Sequence, residues 1–320
     1  MSNMNASKSL SISVVTPIFN EEESITDVVL EISHMLQNNF QTWELIAVDD
    51  GSTDNSFGLL TQLATTIPNL KLVRLGGNFG QTSAIAAGIR MASGEFVATI
   101  DADGQNDPLD IPVMLAEFRE EVVMVAGWRK VRKDTLSRRL PSRIANWIIS
   151  KSSGVPLHDF GCTLKIFRSE IIKDVLLIGE MHRMIPLLIK QRGGVIVEKI
   201  VNHRARIAGE SKYGIGRTPR VLADLLVARF ILASLSKPMH FFGKFAGLGV
   251  AIAVLSSMAA LGFKISGDKD FVETPLPLLA AFSYMFASIA FLLGLVAELL
   301  VRIYFRQVGE PYRIQTVIGF

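Results

Sequence analysis

A single cysteine, Cys162, stands in 320 residues. With nothing to pair with inside the chain, an internal disulfide and a cysteine-built zinc centre are both excluded. The sequence also lacks a Gly-x-Gly-x-x-Gly fingerprint and a Gly-Lys-Ser/Thr phosphate loop, which argues against a Rossmann dehydrogenase and a P-loop NTPase. Net charge is small, at +3, so basic residues matter by position and no nucleic-acid partner is expected. Met1 to Ser11 is polar and has no hydrophobic h-region, so no cleaved signal is expected.

Two stretches lack charge altogether. Phe245 to Phe263 and Leu276 to Ala297 contain no Asp, Glu, Lys or Arg, and at about 1.5 Å per residue they extend roughly 28 and 33 Å, close to a hydrocarbon core of ~30 Å. Both are apolar on every side, unlike the one-sided face of a core helix. They read as two transmembrane helices. Arg217, Arg220, Arg229, Lys237 and Lys244 precede the first span and Arg302, Arg306 and Arg313 follow the second, whereas the connecting loop carries only Lys264 and Lys269. This bias predicts that the preceding domain and both termini face the cytoplasm.

Upstream, the chain alternates strand and helix signals. Apolar runs at Ile12–Thr16, Leu45–Val48, Leu70–Leu75, Phe96–Ile100 and Val122–Gly127 predict strands, with helices from Ser24, Asn55 and Thr82 between them, and Val195–Val201 predicts a later strand. The pattern is that of an α/β domain with a mostly parallel, Rossmann-like sheet covered on both faces. In such sheets ligands bind beyond the carboxyl ends of the strands. Four polar clusters fall there: Phe19-Asn20-Glu21-Glu22, Asp49-Asp50-Gly51-Ser52, Gly76-Gly77-Asn78-Phe79-Gly80-Gln81 and Asp101-Ala102-Asp103. Any one of them reads equally as a capped turn; four on one rim point to a site.

Asp101 and Asp103 continue a strand with a side-chain period of two and so share a face. Such a pair can hold one hard divalent cation, Mg²⁺ or Mn²⁺, whose remaining ligands come from a nucleotide diphosphate. The competing reading is a plain acidic turn. Further on, Lys130 to Ser153 mixes basic residues with Trp147 and aliphatic ones and reads as a surface helix or an interfacial one. Asp159 lies among apolar neighbours as a cap or a positioned carboxylate, and Arg204, Arg206 and Lys212 surround a glycine as in an anion-binding loop. Arg220 to Ser236 carries a thin polar stripe on an apolar helix and fits the membrane interface or a neighbouring subunit.

Taken in order, Val14-Val15-Thr16-Pro17 with Asn20-Glu21-Glu22, Val48-Asp49-Asp50-Gly51-Ser52-Thr53-Asp54, Asn78-Phe79-Gly80-Gln81, Asp101-Ala102-Asp103 and Gly209-Glu210-Ser211-Lys212-Tyr213 resemble the family-2 glycosyltransferases of the nucleotide-diphospho-sugar (GT-A) fold. With two C-terminal spans, the chain most resembles the polyprenyl-phosphate glycosyltransferases, including undecaprenyl-phosphate glucosyltransferases, aminoarabinose-transferring relatives and, more distantly, dolichol-phosphate mannose synthases. The Gln-x-x-Arg-Trp signature of processive synthases is absent, which argues for a single transfer. Gln81 stands where many relatives have lysine.

The resemblance implies roles. Pro17, Asn20 and Glu22 would line the nucleotide-sugar pocket with Asn78, Gln81 and Ala102, Asp49 or Asp50 would accept a hydrogen bond from the base, and Asp101 and Asp103 would hold the metal on the diphosphate with Gln105 close to the sugar. Asp159 matches the catalytic position, and Arg204, Arg206, Ser211 and Lys212 match the phosphate and acceptor loop. The expected layout is a cytoplasmic catalytic domain over residues 1–215, an interfacial helix over 216–240 and a transmembrane hairpin with a cytoplasmic tail over 241–320. The expected reaction moves a sugar, glucose by resemblance, from its UDP donor to polyprenyl phosphate with inversion, at the inner or plasma membrane. Alternatives are another donor such as GDP-mannose, a soluble hydroxyl acceptor, or a non-catalytic membrane scaffold. Small residues Gly247, Gly249, Ala251 and Ala253 along the first span suggest a homo-oligomer.

Overall fold

Strands that are apolar at every position must be covered on both faces, and Val14, Val15, Leu45, Ile46, Val97 and Ala98 all lie fully inside the molecule. A computed structural model of the chain describes residues 10–130, 155–177, 179, 181–191, 193–204, 238–267, 269–307 and 314–319. The basic segment around Trp147 and the Arg220–Ser236 stripe lie outside the described residues. The described residues form two compact units, an α/β sheet domain that includes the C-terminal strand and a separate helical hairpin.

The sheet domain contains β1 (Ser11–Ile18), α1 (Ile25–Asn39), β2 (Thr42–Asp49), α2 (Ser56–Thr66), β3 (Leu70–Leu75), α3 (Gln81–Met91), β4 (Phe96–Thr99), α4 (Asp110–Leu115), β5 (Val122–Trp128), β6 (Lys165–Arg168), α5 (Ser169–Lys173), α6 (Ile185–Gln191), β7 (Val195–Ile200) and β8 (Ile314–Ile318). A 3₁₀ turn, Met181–Met184, leads into α6. Strand order is β7-β5-β6-β4-β1-β2-β3-β8. The central β4-β1-β2-β3 block is parallel, as is β5 with β7, while β6 runs antiparallel to β4 and β5. The chain walks outward from β1 to β3, then returns to place β4 on the other side of β1. That reversal opens a crevice at the carboxyl ends of β1 and β4.

Packing follows from the sequence periods. α1 buries Ile25, Val28, Val29, Ile32, Met35 and Leu36, spaced at three and four, and these join the core with Ile12, Val14, Leu45 and Leu72. α3 lies close on the sheet because Gly88 offers no side chain; a Cβ there would meet Val15 Cγ1 at 2.3 Å. β6 begins only at Lys165, the preceding Val155–Leu164 being loop. The tail contributes a strand, Ile314–Ile318, antiparallel to β3 with Leu72 opposite Ile318, where the sequence pattern predicts none.

The second unit is α7 (Pro238–Ser266) and α8 (Leu276–Gln307). Both are long and apolar enough to cross a membrane. Their common seam is made of small residues: Ala246, Gly249, Ala253, Ser256 and Ala260 on α7, against Ala280, Ala287 and Ala290 on α8. A Cβ on Gly249 would meet Ala287 Cβ at 3.0 Å. Gly249 and Ala253 therefore serve close packing inside the hairpin, whereas Gly247 and Ala251 face outward.

Candidate active site

The loops after β1, β2 and β3 are laced to one another by backbone and side-chain bonds. Asn20, at a positive φ of 53°, accepts from Thr53 N through its Oδ1 at 2.8 Å and donates its own N–H to Ser52 Oγ at 3.0 Å. Glu22 Oε2 accepts from Asn55 N at 2.9 Å. Asp50 accepts from Phe79 N and Gly80 N, both at 2.8 Å; burial pushes its carboxyl above the usual range and these N–H groups pull against it. Asp49, fully buried, lies 3.2 Å from Arg74 Nε. Both aspartates thus fasten the loops in which they sit, and a base contact from either would be additional to these bonds. Gly51 makes the turn at φ 72°, where a Cβ would come within 2.5 Å of the Gly77 backbone. Pro17 is the penultimate residue of β1, and Asn78 lies in the loop that Asp50 ties down.

Asp101 sits two residues beyond Thr99, the last residue of β4. Its Oδ1 accepts from Gln81 Nε2 at 2.7 Å and its Oδ2 from Thr163 Oγ1 at 2.6 Å. Burial, with the neighbouring Asp103 second, pushes its pKa up to about 6. Asp103 is half-exposed and accepts from Gln105 N at 3.1 Å; Ala102 between them is buried, with its carbonyl accepting from Ser24 Oγ at 3.3 Å. The Asp103 carboxylate adds to the upward push on Asp101, while Arg129 and Lys165 oppose it. Two neighbouring carboxylates, an all-oxygen donor set, fit a hard divalent cation. Among the described residues no third acidic, His or Cys side chain joins them, so the other ligands would come from a diphosphate or water. Gln81 contributes here as a neutral donor, orienting Asp101 without cancelling its charge.

Asp159 meets a partner that the sequence reading did not single out. Arg129, just beyond β5, donates from Nε at 2.7 Å and from Nη2 at 3.0 Å, with side chains 13% and 4% exposed for Arg129 and Asp159. Burial works against the guanidinium's charge, but the Asp159 bonds outweigh it and hold Arg129 above its ordinary pKa. Glu198 supports the same turn by accepting from His158 N at 2.8 Å and Asp159 N at 3.1 Å, and the Trp128 ring stacks on His158 at 4.1 Å. Arg129 was legible in principle. It follows a strand's carboxyl end, as the other site residues do.

The Asp159–Thr163 turn links the two carboxylate centres, since Thr163 donates to Asp101 at the far end while its carbonyl accepts from Thr99 Oγ1 at 2.6 Å. Arg204 is turned elsewhere: Nη1 bonds Glu31 at 2.6 Å and Nη2 pairs with Asp107 at 2.7 Å, while its N–H reaches Gln105 O at 2.8 Å. It braces the loop after Asp103, and a phosphate contact would compete with these two carboxylates. Arg206, Ser211 and Lys212 lie outside the described residues.

A parallel sheet with a strand-order reversal, loops converging at the carboxyl ends and a paired-aspartate motif after β4 define a nucleotide-diphospho-sugar transferase of the GT-A type. Residues 13–176 match the glycosyl transferase family 2 model, and the chain belongs to that family. It is 42% identical, over 95% of its length and 91% of the relative, to the dodecaprenyl-phosphate galacturonate synthase of Rhizobium johnstonii. It is 35% identical, over 96% of its length and 94% of the relative, to the undecaprenyl-phosphate 4-deoxy-4-formamido-L-arabinose transferase of Proteus mirabilis. Among solved structures, glucosyl-3-phosphoglycerate synthase of Mycobacterium tuberculosis with Mn²⁺ and UDP-glucose shares the fold at a TM-score of 0.55 and 21% identity, over 71% of this chain and 82% of that one. The chain is a glycosyltransferase, and the resemblance to the polyprenyl-phosphate group read from its motifs is borne out by these relatives.

Proposed function

We propose that the protein transfers a sugar from a UDP-sugar to the phosphate of a polyprenol, once per acceptor and with inversion, at the cytoplasmic face of the membrane. The observation that carries this reading is the Asp159–Thr163 turn, which joins the aspartate pair to the Arg129–Asp159 ion pair at one rim of the sheet. Asp101 and Asp103 would hold Mg²⁺ or Mn²⁺, which when bound acts as a Lewis acid on the departing diphosphate. Gln81 and Thr163 keep Asp101 in place for that task, and the laced loops after β1 and β2 form the nucleoside end of the pocket. A phosphate acceptor is already ionised near neutral pH and needs no strong base. A carboxylate in a bidentate ion pair makes a poor base, so Asp159 serves by orienting Arg129 beside the incoming anion.

Glucose was the sugar expected from the resemblance; the relative at 42% identity carries galacturonate in its name, which favours the C6-oxidised hexose as the donor sugar. A long-chain lipid leaves the bilayer at a cost of roughly 0.8 kcal/mol per methylene, so the catalytic domain, assigned to residues 1–215, works at the headgroup layer, with both termini cytoplasmic. The interfacial helix is assigned to residues 216–240 and the hairpin and tail to 241–320, although the first hairpin helix begins at Pro238 and the tail's strand belongs to the sheet domain. With Gly247 and Ala251 facing outward, the first span retains small residues for association between copies. The test is to incubate membranes containing the protein with labelled UDP-glucose, UDP-galacturonate or GDP-mannose, Mg²⁺ or Mn²⁺, and either polyprenyl phosphate or soluble hydroxyl acceptors. Label in the lipid fraction from a UDP-sugar supports the proposal; label only on soluble acceptors overturns it.

A further inference from the structure

Lys165 is a buried ammonium that the reaction as described does not use. It opens β6 and is 3% exposed. Its Nζ donates to the carbonyls of Phe160, at 3.3 Å, and Cys162. Both acceptors belong to the turn that carries Asp159 at one end and Thr163 at the other. Asp159 fixes Arg129, and Thr163 fixes Asp101. The turn is also held by the buried Phe160 and Cys162 side chains, by Gly161 N donating to Asp159 Oδ1 at 3.1 Å and by Asp159 N donating to Glu198, but none of these reaches the Phe160 and Cys162 carbonyls. From this geometry we infer that Lys165 is a positioning residue, clamping the Asp159–Thr163 turn through its carbonyls so that the donor-side and acceptor-side carboxylates keep one relative placement.

Such a clamp has a physical rationale and a cost. Burying an ammonium is unfavourable unless it is well bonded, and burial brings Lys165 down to about 8, with Cys162, Asp159, Arg129 and Asp101 as the titratable groups around it. An uncharged side chain of similar volume would be buried there at less cost, so the cation is not explained by packing. Carbonyls that converge on it, by contrast, have no other donor among the bonds described for Phe160 and Cys162.

The inference rests on the transferase reading, and its test separates the two. The full-length protein is prepared in detergent as wild type, Lys165→Met, Lys165→Arg and Gly88→Ala, the last destabilised at the α3–sheet contact away from the turn. Each is assayed for melting temperature, UDP binding with Mn²⁺, and the kcat and KM of sugar transfer. A misplacement of about 1 Å costs on the order of 100-fold in turnover. The expected result is therefore a fall of about 100-fold in kcat for Lys165→Met with both KM values within about threefold. Lys165→Arg should regain at least about tenfold by restoring the donor and the charge. Unchanged kcat in Lys165→Met overturns the inference. So does a loss that Lys165→Arg shares in full, or one matched by Gly88→Ala at equal melting temperature, since either would mark a merely structural lysine. Failure of the wild type to transfer any sugar would instead defeat the functional reading.

Discussion

Consider removing either side of the Arg129–Asp159 ion pair. The two bonds, at 2.7 and 3.0 Å, join side chains 13% and 4% exposed, so neither charge has water to fall back on. Breaking a buried pair from one side typically costs 3–5 kcal/mol. Arg129→Met, which strands the carboxylate, should cost about 3 kcal/mol; Asp159→Asn keeps one acceptor for the guanidinium and should cost about 2 kcal/mol. In the double variant no charge is stranded, so its loss should fall about 2 kcal/mol short of the sum of the singles. At roughly 2–4 °C per kcal/mol for a domain of this size, the singles should melt about 4–12 °C below wild type. Activity should behave differently from stability. The double variant regains melting temperature but not turnover, while UDP binding stays near wild type in all three. The assay is thermal unfolding in detergent alongside lipid-fraction labelling, and additive losses within about 0.5 kcal/mol would refute the pairing argument.

Asp103→Asn should raise the Mg²⁺ or Mn²⁺ concentration for half-maximal rate by about tenfold with the melting temperature nearly unmoved, because Asp103 is half-exposed and its bond from Gln105 N lies within its own loop; an unchanged metal requirement would remove it from the site. Glu44 is buried, and although burial opposes ionisation, bonds from Lys71, Ser13 and Ser93 hold its pKa below the ordinary 4.5. Its stabilisation is complete above pH 4.5 and is lost as pH falls through the lowered native value, so Glu44→Gln should flatten the acid side of a stability–pH curve and cost about 1–2 kcal/mol at pH 7; an unaltered slope would contradict this. Gly88→Ala adds a methyl 2.3 Å from Val15 Cγ1 and 3.1 Å from Val48 Cγ2, which should destabilise by about 1–3 kcal/mol despite the gain in helix propensity. A raised melting temperature would show that the α3–sheet contact relaxes freely.

The sequence carried the alternation of strands and helices because each strand buried on both faces must be apolar throughout, and that signal is local. Leu70–Leu75 is delimited by the same residues in sequence and structure, and the two uncharged runs reappear inside α7 and α8. The position of Asp101 and Asp103 at a strand's carboxyl end was legible for the same reason. β8 was not, since a short strand is specified by the edge it pairs with, here β3, rather than by its own pattern.

What the sequence by itself determined, then, is which loops share the sheet's binding rim: chain order and the parallel run of β1 to β5 place the loops after those strands on one side. Only the tertiary structure decided how the charges there are spent. Asp159 is committed to Arg129, 30 residues away in the chain, Arg204 to Glu31 and Asp107, and Lys165 to the turn between the two carboxylate centres. These pairings arise from strand order, which brings β4, β5 and β6 side by side, and Coulomb and hydrogen-bond energies depend on distance in space, to which spacing along the chain is no guide.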